Sequence, residues 1–406
     1  MAAGRMDCDV AVVGGGMAGL TLGCALAGAG VRVRVLEPQP VSAQTDPGFD
    51  GRTTAIAAGS RAVLEAVGAW PAMAADAQPI LDIRVSDGHS PLFLHYDHRA
   101  LGDGPMGHIV ENRAIRRALA DRLAALDPGA LVEGVRIAAA ERGARRAVLH
   151  AADGGQTSCR LVVAADGRRS AMRQEAGIRT AEWRYRQTGI VCTVEHARDH
   201  GGAAQERFLP AGPFAILPMT GRRSSIVWTE RDDIAPAILA LDEAGFAEEL
   251  GLRFGDYLGD LRVVGPVFSY PLGLLHAETY VAARLALIGD AAHAIHPIAG
   301  QGLNIGLRDV AALAEVTVDT MRLGLDPGGA VALDRYERWR RPDNATMLAV
   351  TDGLNRLFSN DLAPLRTLRD AGLAAVNRAA PLKRLFMRHA MGLVGDLPRM
   401  IRGEAL

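Results

Sequence analysis

The sequence predicts an α/β fold in which a parallel sheet, opened by a βαβ unit, is interrupted by a mostly antiparallel sheet and closed by C-terminal helices. Three observations carry this. An apolar run at 8–13 is followed by a glycine turn, a helical stretch and a second β-branched run, all within about thirty residues. Between 183 and 274 the pattern changes to alternating segments such as Ile190–Val194 and Ser225–Thr229, with turns at Gly201-Gly202 and Gly221. From Asp334 to the end the pattern is helical.

Taken in order, Cys8–Val13 reads as a buried parallel strand and Ala18–Ala29 as a helix with small residues on its packing face. Gly30 breaks that helix, and Val31–Leu36 forms the next strand, ending at Glu37 and Pro38. Arg61–Val67 and Ile115–Leu126 read as helices, and Ala147–Ala152 and Leu161–Ala165 as strands. Leu285–Ile288 reads as a buried strand, and Leu303–Leu323 as a long helix. The division that follows is a nucleotide-binding domain (1–75, 105–182, 275–335), a sheet-bearing substrate domain (76–104, 183–274) and a helical region (336–406).

At 406 residues, with 49% hydrophobic and 22% charged residues, the chain can bury a sizeable core. A net charge of -1 argues against a broad nucleic-acid-binding surface. Cys8, Cys24, Cys159 and Cys192 are widely spaced, without metal-ligand rhythm, and read as buried free thiols of a reducing compartment. His95 and His98, with His89 and Asp97, lack zinc spacing, so no metal is expected. The uncharged stretch from Val10 to Val31 approaches the length of a membrane span, but its recurrent glycines fit a soluble βαβ unit better. A cytoplasmic chain is expected.

Gly14, Gly16 and Gly19 match G-x-G-x-x-G directly after a strand and at the start of a helix, with Met17 and Ala18 inside the motif. The first glycine permits a tight turn, the second a close approach to a diphosphate, and the third close helix–strand packing. The helix N-terminus adds unpaired N–H groups and a positive dipole end. Glu37, at the end of the second strand, can accept from ribose hydroxyls and disfavours a 2′-phosphate. A second match at 102–107 contains Pro105 and follows a polar stretch, so it reads as a loop.

Two further strand ends carry aspartates: Asp166-Gly167, with Arg173 following, and Gly289-Asp290. The latter continues through Pro297, Gly300 and Gly302 to Leu303 and Asn304. Aspartate at such an edge can bind ribityl or ribose hydroxyls, while the glycines let backbone N–H groups approach a flavin ring. Together these elements select FAD over NAD as the resident nucleotide.

In this order, the elements resemble the flavoprotein aromatic hydroxylases related to 4-hydroxybenzoate hydroxylase. More narrowly, 50–56, 107–113, 289–304 and parts of the tail (364–366, 381–384, 395–398) resemble the ubiquinone-biosynthesis hydroxylases. The resemblance implies FAD contacts at Arg52 and Arg113, and an Asp166-Gly167 motif serving both flavin and nicotinamide. It implies reduction by NADH or NADPH, O2 addition at flavin C4a, and hydroxylation of a polyprenylphenol. His293 and His296 are candidates for proton work or structural imidazoles, and the Pro297–Asn304 loop for stabilising the anionic flavin. The alternatives are a hydroxylase of another small aromatic and a non-catalytic FAD-binding subunit of a biosynthetic complex. Leu382, Leu385 and Phe386, among the basic residues 378, 383, 384 and 388, suggest a helix that meets an anionic membrane face or a partner protein.

Overall fold

The computed structural model describes residues 7–88, 93–102, 104–359, 369, 372 and 376–406. Its first layer is a six-stranded sheet. Strands β1 (Val10–Val13), β2 (Val33–Glu37), β8 (Leu131–Glu133), β12 (Leu161–Ala164) and β19 (Leu285–Leu287) run parallel, and β18 (Val281–Ala282) pairs antiparallel to β19 at one edge. The order is β18-β19-β12-β1-β2-β8, so β1 lies between β12 and β2. The ends of β1, β12 and β19 thus deliver all three aspartate or glycine motifs to one edge.

The uncharged stretch from Val10 to Val31 resolves into β1, a glycine turn and helix α1 (Met17–Gly28). Gly19–Leu26 of α1 are all buried, because β-strands, α3 (Asn112–Leu126) and α5 (Gly302–Arg322) surround it. The four cysteines are buried free thiols. Helix α2 covers Ala58–Ala66, close to the expected segment. Among the described residues, no helix is long and apolar enough to cross a membrane.

The second layer is an eight-stranded sheet. Strands β13 (Thr180–His196), β14 (Ala203–Leu209), β15 (Gly212–Met219), β16 (Arg223–Arg231) and β17 (Leu261–Ala277) form its antiparallel centre. Strands β5 (Asp82–Asp87) and β6 (Phe93–Asp97) extend it through a parallel β5–β14 pairing, and β20 (His293–Ala294) closes its other edge. One face packs Ile190, Phe214, Ile226 and Trp228 against α4 (Glu243–Phe254). Two three-stranded sheets complete the β structure. One joins β3 (Thr53–Ala57), β7 (Gly107–Glu111) and β4 (Gln78–Ile80); the other joins β9 (Ile137–Arg142), β10 (Ala147–Ala151) and β11 (Gln156–Cys159).

The second glycine match runs into β7 rather than into a helix, and its Asp103 lies outside the described residues. The tail differs from the expectation of helix throughout. Helices α6 (Ala330–Phe358) and α7 (Ala380–Ala390) are followed by a non-helical segment over 391–398, where Gly392 and Gly395 take positive φ of 72° and 98°. The tail motif at 364–366 lies outside the described residues.

The glycine turn sets how closely α1 meets β1. Gly14 has φ +106°, and a Cβ on Gly19 would fall 2.0 Å from the Gly14 carbonyl oxygen. Gly19→Ala should therefore destabilise the protein by about 1–3 kcal/mol through overpacking. Urea unfolding of the apo-protein checks this; an unchanged midpoint would refute it.

Candidate active site

The three strand ends border one cavity of about 1840 Å³, well beyond the roughly 300–1,000 Å³ of an ordinary small-molecule site. One end is polar, with Gly16, Arg52, Gly167, Asp290, Gly300 and Gly302 in its wall. The other is apolar, built from the eight-stranded sheet and the C-terminal helices by residues such as Val85, Leu94, Phe208, Leu354 and Phe358.

At the polar end, Gly16 caps α1 in an extended conformation, and a Cβ there would meet nothing within 4 Å. The cradle therefore has room for a diphosphate against the α1 N-terminus, where Met17 and Ala18 also border the cavity. Glu37 stands behind this turn, bonded by the N–H groups of Gly15 at 2.6 Å and Gln39 at 2.9 Å. It is buried and does not itself border the cavity. Its carboxylate retains acceptor capacity for a ribose hydroxyl.

Asp290 opens onto the cavity, and burial raises its carboxyl pKa, partly offset by His293, Arg52 and Arg168. Asp166 accepts from the Met172 N–H at 3.2 Å through Oδ2, while Oδ1 is buried without a partner. The hydroxyl of Thr53, a residue that borders the cavity, is likewise buried and unpartnered. Gly300 has φ +61° and lies so close to β3 that a Cβ would sit 2.9 Å from that of Ala55. A glycine cradle with orphaned polar atoms fits a ligand rich in hydroxyls and phosphates, and FAD has that chemistry.

A family model described as an FAD binding domain matches residues 7–351. The ubiquinone hydroxylase UbiL of Rhodospirillum rubrum is 54% identical over 401 residues, covering 98% of this chain and 93% of that protein. The 3-demethoxyubiquinol 3-hydroxylase of Escherichia coli is 35% identical over 389 residues, covering 95% of this chain and 98% of that one. The chain belongs to the FAD-dependent hydroxylases of ubiquinone biosynthesis. The crystal structure of p-nitrophenol 4-monooxygenase from Pseudomonas putida shares the fold, with TM-score 0.81 and 22% identity over 95% of this chain and 98% of that one.

Within this hydroxylase the remaining candidates divide. Arg52 borders the cavity, clamps Asp50 at 2.9 and 3.0 Å, and lies 4.7 Å from the Tyr270 ring centroid. Asp50 also receives Asn112 and Arg116; burial works to raise its carboxyl, but these donors hold it well below the usual range. Arg113 instead pairs with Glu111 at 2.6 Å and does not border the cavity. Asn304 is a brace rather than an open donor. Its amide binds the carbonyls of Ala55 and Gly300 at 2.8 and 3.1 Å and accepts from the Ala57 N–H at 3.0 Å. Leu303 and Pro297 border the cavity.

Neither histidine does. His296 is fully buried with both ring nitrogens unpartnered, its ring centroid 5.1 Å from that of Tyr185, and burial pushes it down to about 4. His293 is committed to Asp309 at 2.5 Å. Of the two readings of His293, proton transfer or a structural imidazole, the pairing with Asp309 is the contact the fold gives it. His95 meets Asp82 at 2.8 Å and His98 the Leu81 carbonyl at 2.9 Å; His89 lies outside the described residues.

Two residues without a role in the sequence reading organise the site. Arg173 binds the carbonyls of Ala291 and Arg168, both at 2.8 Å, tying the Asp166-Gly167 turn to the Gly289-Asp290 turn. Asp309 accepts from Gly289 N–H at 3.1 Å, from His293, and from Arg340 and Asn344, both at 2.9 Å. Burial works to raise the Asp309 carboxyl, but His293 and Arg340 outweigh it and hold it at about 2. Its folded pKa is below the ordinary 3.8, so its stabilisation is present above 3.8 and lost as pH falls towards 2. Asp309→Asn, which removes the charge that Arg340 and His293 face but leaves Arg340 paired with Asp343, should cost about 1–3 kcal/mol and flatten that acid limb. Unfolding midpoints across this pH range check both; a variant with wild-type stability would refute them.

Proposed function

We propose that this FAD-dependent enzyme hydroxylates the aromatic ring of a polyprenylated phenol in ubiquinone biosynthesis, using O2 and NADH or NADPH. The single observation that carries the reading is the continuity of the cavity. A polar nucleotide end passes without a wall into an apolar end suited to an isoprenoid-bearing ring. The names of the Rhodospirillum and Escherichia relatives point to the same substrate class.

FAD, when bound, supplies the redox chemistry that activates O2 with electrons from the nicotinamide. The chain's residues bind and orient. The α1 N-terminus and Arg52 would hold the diphosphate charge, and Asp166, Asp290 and Glu37 would accept from ribityl and ribose hydroxyls. The Pro297–Leu303 loop would offer backbone N–H groups to the ring system. Val85, Leu94, Phe208 and Phe358 exclude water from the reacting end. The grouping of 76–104 with 183–274 as the substrate-binding part is supported by the β5–β14 pairing.

We also place the enzyme at the cytoplasmic face of a membrane, through α7. Leu382, Leu385 and Phe386 are 40%, 47% and 43% exposed beside Lys383, Arg384 and Arg388, while Met387 is buried. That face suits the acyl boundary of an anionic bilayer.

The purified protein should be yellow and consume O2 in an NAD(P)H-dependent manner when given a polyprenylphenol; a colourless protein that takes up no FAD would overturn the reading. Leu382→Glu combined with Leu385→Glu should reduce pelleting with anionic vesicles several-fold, and unchanged pelleting would remove the membrane assignment.

A further inference from the structure

Arg116 is an arginine at the cavity wall with two idle donors. It lies one turn beyond Asn112 on α3, and both residues border the cavity. Arg116 is 7% exposed. Its Nη2 donates to Asp50 Oδ2 at 2.8 Å, and its guanidinium lies 5.4 Å from the Phe49 ring centroid. Its Nε and Nη1 are buried with no hydrogen-bond partner.

Asp50 cannot absorb those donors. Its two oxygens already receive the Arg52 backbone and side chain, Asn112 and Arg116 Nη2. The carboxylate therefore fixes the guanidinium in place and leaves two N–H groups unsatisfied. A buried cation with unused donors is unfavourable until an acceptor reaches it. The cavity is the route by which one arrives. Neutral acceptors would leave the charge half-compensated, whereas a phosphate oxygen supplies both the opposite charge and the lone pairs. The same cavity is bordered by the α1 N-terminus, which also favours an anion.

We propose that Arg116 forms a phosphate subsite of this cavity, with Nε and Nη1 donating to the diphosphate of FAD. This inference rests on the FAD reading above. It adds a cationic contact that the family resemblance had given to Arg113, whose guanidinium is paired with Glu111.

The test compares ligands that differ in phosphate. Apo-protein is titrated with FAD and with riboflavin, which has none, following flavin fluorescence. Arg116→Gln should weaken FAD binding about 10- to 100-fold and leave riboflavin binding unchanged. Arg116→Lys keeps a charge beside Asp50 and should fold normally, with a smaller loss confined to FAD. FAD affinity in Arg116→Gln within about twofold of wild type overturns the proposal. So does an equal loss for both ligands, which marks a structural effect. Should Arg116→Gln not fold, the FAD-to-riboflavin difference in Arg116→Lys decides: a selective loss for FAD supports the subsite, and no difference overturns it. A wild-type protein that takes up no FAD is a separate result, because it overturns the cofactor reading before any variant is compared.

Discussion

Four donors converge on the fully buried carboxylate of Asp309. They come from the turn after β19, from β20, and from α6, while Asp309 itself belongs to α5. A buried charge of this kind is tolerable only because Arg340 and the hydrogen bonds compensate its desolvation. Position follows from that compensation: Gly289 is held by its N–H, and the loop running on to Pro297 starts from a defined point. The glycine-lined path to α5 can then stay open towards a ligand without collapsing.

The same logic appears at smaller scale around Arg173 and Asp50. Arg173 binds backbone carbonyls of two separate turns with its guanidinium, so the Asp166 and Asp290 elements are tied together. Asp50 gathers Arg52, Asn112 and Arg116 from a loop and a helix. These charges do not react with anything. They position groups that border the cavity, and they are buried because a ligand site assembled from four chain segments needs rigid joints. Flexible surface pairs would not supply them.

The cavity itself is a product of two layers. The parallel sheet delivers its loops to one edge, as open parallel sheets do. The eight-stranded sheet turns an apolar face to that edge, and β20 joins it to the flavin loop through its pairing with β17. Apolar lining from α6 and α7 completes the far end. Nucleotide chemistry and apolar substrate therefore share one space although their residues are far apart in sequence.

Local pattern was enough for the β1–α1–β2 unit, the antiparallel character of the 183–274 sheet, the long α5 helix and the glycine positions, because each depends on neighbours in sequence and on steric limits near the backbone. Side-chain assignments were less legible. Arg113 and Arg116 look equivalent on one helix, and only the folded chain sets one against Glu111 and the other against Asp50 at the cavity wall. His293 reads either as a proton-transfer group or as a structural imidazole, and only the fold pairs it with Asp309, sixteen residues on. The sequence by itself determined the fold class and the nucleotide cradle, since periodicity and glycine sterics are local properties. Tertiary structure alone decided which charged side chains face the ligand, because burial and pairing are settled by contacts between distant segments.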